Sequence, residues 1–163
     1  MIFRFIAFVF AVLVSTLPGP FVASAMELTI GDLTIKHPVI RATQSGAKVT
    51  AGYMLITNNG DSEERLMMGH SKFSGMVHIH ESKMENGIMK MNAVEQGLAL
   101  PPGETVKLLP GGFHLMFMQL NAPIKEGTQH PVELMFKNAG KITVSFNARS
   151  IAETMQLKKE HSH

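Results

Sequence analysis

The chain has 163 residues, with 15 basic side chains against 13 acidic ones, eight histidines, 13 methionines and no cysteine. So balanced a charge creates no global field that would draw in nucleic acid or an anionic surface. The lack of any thiol excludes a disulfide framework, disulfide-exchange chemistry and every metal centre that depends on a cysteine sulfur.

In chain order, the first predicted element is a leader. Met1-Ile2-Phe3-Arg4 supplies a charged start, Phe5 to Leu17 an apolar run, and Ala23-Ser24-Ala25 a small-residue cleavage signal after Pro18-Gly19-Pro20. This is the pattern of a signal peptide spanning residues 1–25 and cut after Ala25. The apolar run falls short of the ~20 residues a spanning helix needs, so the sequence predicts export with no stable membrane insertion after the leader is removed. The remainder, from Met26, is long enough for one domain with a core, predicted over 26–150.

Short alternating apolar runs then recur at Leu28 to Ile35, Thr50 to Thr57, Met76 to Ser82, Ile88 to Val94, Thr105 to Leu109, His114 to Leu120, Val132 to Phe136 and Ile142 to Ala148. About eight strands at this spacing, with no long helical period, predict an all-β antiparallel sandwich or barrel. Turn residues separate the runs: Asn58-Asn59-Gly60-Asp61, Asn86-Gly87, Pro101-Pro102-Gly103, Pro110-Gly111-Gly112 and Asn138-Ala139-Gly140. From Ile151 the chain turns polar and loses its alternation, so residues 151–163 are expected to form a short flexible tail.

Chemistry gathers on three of these runs, at His80, Met91, His114 and Met116. Imidazole and thioether without thiolate is a donor set suited to copper, above all to Cu(I). A two-residue loop at Asn86-Gly87 would pair residues whose numbers sum to 173. Ser82 then faces Met91, and His80 faces Ala93. His80 and Met91 become diagonal neighbours on one sheet face, ~7 Å apart at the backbone. Alternation places His114, Met116 and Met118 together on one face of their own run. His78 shares the face of His80 and could be a ligand, a supporting group or a solvated neighbour. Methionine also fills irregular core gaps, which is the reading given to Met54, Met67, Met68, Met118 and Met135. His37, His70 and His130 are read as surface or hydrogen-bonded residues.

These residues carry a resemblance. His80-Glu81, Asn86-Gly87-Ile88-Met89-Lys90-Met91 and Pro110-Gly111-Gly112-Phe113-His114-Leu115-Met116 resemble, in order, the PCu(A)C family of periplasmic copper chaperones. Arg41-Ala42-Thr43, Ala51-Gly52-Tyr53, Thr57-Asn58-Asn59-Gly60-Asp61 and Leu100-Pro101-Pro102-Gly103 extend the likeness over most of the chain after the leader. The resemblance implies a cupredoxin-like antiparallel β-sandwich of Greek-key type, located in the periplasm, that binds Cu(I) through two histidines and two methionines. It further implies delivery to cytochrome c oxidase assembly, through a copper-accepting oxidase subunit or another copper-assembly protein. The family's ligands fall on His80, Met91, His114 and Met116. His78 stands where many relatives are expected to be acidic. Some relatives hold Cu(II) in a histidine- and methionine-rich tail, of which Met155, His161 and His163 make a sparse version.

The ligand chemistry suits a carrier, since neutral thioethers bind soft Cu(I) without forming disulfides and yield the ion to a dithiolate acceptor. Two other classes compete with this non-enzymatic reading. A copper- or zinc-dependent enzyme would need an open coordination position and a base, and the candidate site offers no carboxylate pair. A purely structural β-sandwich would leave all the methionines as packing.

Overall fold

The computed structural model describes residues 27–161; the predicted leader, Met26 and His163 lie outside the described residues. Eleven strands and one helix follow in chain order: β1 (Glu27–Ile30), β2 (Leu33–Arg41), β3 (Val49–Asn58), β4 (Glu64–Ser71), β5 (Ser74–Glu85), β6 (Ile88–Ala93), β7 (Leu98–Leu100), β8 (Thr105–Leu108), β9 (Phe113–Leu120), β10 (Gln129–Phe136), β11 (Gly140–Arg149) and α1 (Ile151–Glu160). The pairings β5–β9–β3–β2–β11–β10–β4 return to β5, so the sheet closes on itself as a barrel or sandwich. The all-β sandwich expected from the alternation is therefore present, its neighbours mostly antiparallel, with the β2–β11 and β8–β9 pairs parallel. Its non-consecutive neighbours, β2 beside β11 and β5 beside β9, supply the crossing connections of a Greek key.

Period-two alternation builds the core. Val77 and Ile79 on β5, Leu115 and Phe117 on β9, Val132 and Leu134 on β10, and Val144 and Phe146 on β11 all point inward and are buried. Phe117 stands edge-on to Phe146 with ring centroids 6.2 Å apart. Gly52 on β3 lies against this pair: a Cβ there would sit 2.7 Å from the Phe117 ring. Only glycine fits that close approach.

Three sequence expectations need correction. The run Leu28 to Ile35 is two strands, because Gly31, with φ of 55°, turns β1 back on β2. β4 escapes the sequence reading because its alternation is broken: Met135 pairs with Met68 but Phe136 pairs with Leu66, leaving Met67 as a bulge. Finally, residues 151–160 are not the expected flexible tail but a helix. Ser150 caps it, accepting from the Glu153 N–H while Glu153 accepts from the Ser150 N–H. The Ser-x-x-Glu box was readable in the sequence, and burial of Thr154 ties the helix to the body of the protein.

Candidate metal centre

The β5–β6 hairpin turns on Asn86 and Gly87, whose φ angles of 52° and 78° are those a type I′ turn demands. The strands then pair with His80 opposite Ala93, Ser82 opposite Met91 and Met84 opposite Met89, the register expected from the turn. On its other edge β5 pairs with β9, setting His80 opposite His114 and His78 opposite Met116. Because Val77, Ile79, Leu115 and Phe117 fill the core, the intervening residues His78, His80, His114 and Met116 share the outer face.

On that face the His80 and His114 rings meet edge-on with centroids 5.9 Å apart, and His78 lies 6.4 Å from His80. Burial is graded across the group. His114 is 4% exposed and Met91 51% exposed, with His80 and Met116 in between. His114, Met116 and Met91 line a cleft of about 500 Å³, joined by Met89, by Arg41 of β2 and by Met155 and Lys158 of α1. Gly111 borders the cleft. Its φ is 84°, and a Cβ there would lie 3.1 Å from Lys158 Nζ.

One carbonyl organises the inner end. Gly112 O accepts from the Ser82 N–H at 3.1 Å and from His114 Nδ1 at 3.0 Å. A carbonyl cannot donate, so Nδ1 carries the proton and Nε2 keeps its lone pair for an ion. His80 Nδ1 is buried with no hydrogen-bond partner; an orphaned imidazole nitrogen at such a place is the kind of atom a metal satisfies. Both rings are held in the neutral form that ligates. Burial, then the adjacent His114 and His78, push His80 below the ordinary imidazole value. Burial and the Arg41 charge lower His114 despite the opposing Gly112 bond.

The donor chemistry selects the ion. Among the described residues, no three His, Cys, Asp or Glu side chains converge to hold a metal, so a centre here needs its thioethers. Two imidazoles with thioethers favour soft Cu(I) over zinc. Arg41 adds a positive charge at the cleft wall, held by its bond to the Tyr53 hydroxyl at 2.9 Å.

The sequence reading missed Met89, Met155 and Arg41 as parts of this cleft. Met89 was signalled by its place two residues before Met91 on the same strand; Met155 depends on α1 folding back. His161, one of the tail residues named with the Cu(II)-type donors, packs its ring 5.2 Å from that of His37 on β2. Nor are the methionines read as packing all alike: Met54 is buried, whereas Met67 and Met68 are exposed.

The family model described as "Putative lipoprotein LpqE-like" matches residues 33–148. The chain is 31% identical over 94 residues to "Putative lipoprotein Lxx21020" of Leifsonia xyli subsp. xyli, and the match spans 57% of that relative's length. Among solved structures it is similar to the copper-bound PCuAC domain from PmoF2, with 26% identity, a TM-score of 0.65, and coverage of 77% of this chain and 98% of that one. The apo PCuAC domain from PmoF1 gives 25% identity, the same TM-score of 0.65, and coverage of 77% and 99%. The solution structure of Cu(I)-DR1885 from Deinococcus radiodurans, at 22% identity and a TM-score of 0.59 over 79% of this chain and 83% of that one, shares the fold.

Proposed function

The chain belongs to the LpqE-like family, the PCuAC family of copper-chaperone-type domains, and on that premise we propose that it is an exported carrier of Cu(I). It performs no catalysis on this reading, and copper is its cargo. The ligands are His80, Met91, His114 and Met116. The observation that carries the assignment is the outer-face constellation itself: His80 opposite His114 with Met116 and Met91 beside them, one imidazole fixed in its metal-binding tautomer and the other with an unsatisfied buried nitrogen.

The graded exposure suits loading and release. Buried His114 stays in place while exposed Met91, on the outer hairpin strand, can leave the ion first and admit an acceptor's donor. A dithiolate acceptor outcompetes two thioethers and two imidazoles for Cu(I), so transfer runs toward the thiol. Copper-site assembly of a cytochrome c oxidase, through an oxidase subunit or another assembly protein, is the destination we assign. The domain spans 26–150, preceded by the cleaved leader of residues 1–25, which directs the protein to the periplasm.

Anaerobic competition against a chromophoric Cu(I) chelator tests the assignment, comparing wild type with Met91→Ala, Met116→Ala and Met118→Ala. The expected result is one tightly held ion whose affinity falls at least ~10-fold, equivalent to ~1.4 kcal/mol, in the first two variants and is retained in the third. Equal behaviour of all three would refute the ligand set.

A further inference from the structure

The outer face does not end at His78. Met135 on β10 pairs with Met68 on β4. The Gly69–Val77 bridge between β4 and β5 sets Met68 abreast of His78 and His70 abreast of Met76 by the antiparallel count. His78 in turn pairs with Met116 on β9. One cross-strand row therefore reads Met135, Met68, His78, Met116 on four adjacent strands, at the ~4.8 Å spacing of a sheet. The first three of these, with His70 and Met76, line a separate cleft of about 390 Å³.

Packing does not account for Met68 and Met76, and Met135 is only half-buried. Met68 is 44% exposed and Met76 39% exposed, so neither fills a gap in the core. The hard side-chain donors in the cleft are already engaged: Glu133 pairs with Lys141 at 3.0 Å and the Ser71 and Ser74 hydroxyls bond each other at 2.6 Å. What remains for an ion is thioether and imidazole, which select a soft cation.

We propose that Met135, Met68 and His78 form a second, weaker Cu(I) site on the outer face. His78, placed between Met68 and Met116, is the shared ligand through which an ion captured there passes by ligand exchange to the His80–His114 site. No oxidation-state change or proton transfer is involved: Met116 replaces Met68 and Met135 on the ion while the His78 imidazole holds, and His80, His114 and Met91 then displace His78. This inference rests on the copper-carrier reading and goes beyond it in stoichiometry, in a docking place for incoming ion and in a task for His78.

The test is anaerobic Cu(I) titration of the purified protein, with bound copper counted by chelator competition in wild type, in Met68→Leu/Met135→Leu and in Met91→Ala/Met116→Ala. Leucine preserves apolar bulk and removes the donor. Two equivalents are expected in wild type, of which the first double variant loses the weaker and the second loses the tighter. A single equivalent in wild type, abolished by Met91→Ala/Met116→Ala, would overturn the second site and leave the carrier reading standing. No Cu(I) binding by wild type would overturn both. As a second readout independent of folding in the variants, Ag(I) titration of ¹³C-methyl-methionine protein should shift the Met68 and Met135 methyl signals after those of Met91 and Met116. Unmoved Met68 and Met135 signals would also refute the proposal.

Discussion

Strands β5 and β9 carry two different proteins on their two faces. Inward, Val77, Ile79, Leu115 and Phe117 are buried and close the barrel. Outward, His78, His80, His114 and Met116 form a face rich in donors. The residues alternate one by one along the same backbone, so the buried inner side chains set the spacing of the candidate donors, of which only His114 is itself buried. Stability and binding are thereby separable, one face for each, and substitutions on the two faces should give opposite signatures.

The largest effect is expected inside. Phe117→Ala removes a fully buried ring packed on Phe73 and Phe146 and should cost about 3–5 kcal/mol in urea unfolding; a loss under 1 kcal/mol, on the order of a surface change, would show that the inner face does not carry the fold. Gly52→Ala comes next. Its new Cβ meets the Phe117 ring at 2.7 Å, and overpacking of this kind costs ~1–3 kcal/mol, read from the same unfolding curves. Ser150→Ala deletes the cap of α1 and should lower stability by ~1 kcal/mol, with faster amide exchange confined to residues 151–160. Loss of protection across β5 and β9 as well would break the separation of the helix from the site.

Outside, the pattern should invert. Met91→Ala, at an exposed position, is expected to change unfolding free energy by no more than ~0.5 kcal/mol while weakening Cu(I) binding. The mildest probe is pH. His80 and His114 lie below the ordinary imidazole value of 6.5, so the unfolded chain takes up protons first as pH falls. The stability they contribute is complete above about pH 6.5 and is lost as pH drops through their folded-state values. Cu(I) affinity should accordingly begin to decline at a lower pH than it would for ordinary imidazoles, as protons compete for the ring nitrogens. A decline that starts above pH 7 would mean the rings titrate as if exposed.

Much of the candidate site's geometry was legible in the chain. Asn86-Gly87 fixed the hairpin register, and with it the diagonal placement of His80 and Met91, because a two-residue turn leaves the pairing no freedom. Alternation fixed the sharing of a face by His114 and Met116. Less legible was β4, where the bulge at Met67 interrupts the period on which strand reading depends. The helix at 151–160 was overlooked for a different reason. Its capping box was present, but its apolar periodicity is weak and its attachment comes from burial of Thr154 against other elements.

The sequence by itself determined the all-β class, the hairpin and the soft, thiol-free donor chemistry, since each of these follows from residue type and local spacing. Tertiary structure alone decided that β5 lies between β9 and β6, bringing His80 against His114. It also placed Met155 in the cleft, His161 beside His37, and the Met135–Met68–His78 row across three strands. Those contacts join residues far apart in the chain, and pairing between distant strands is settled by closing one shared core, which no local pattern encodes.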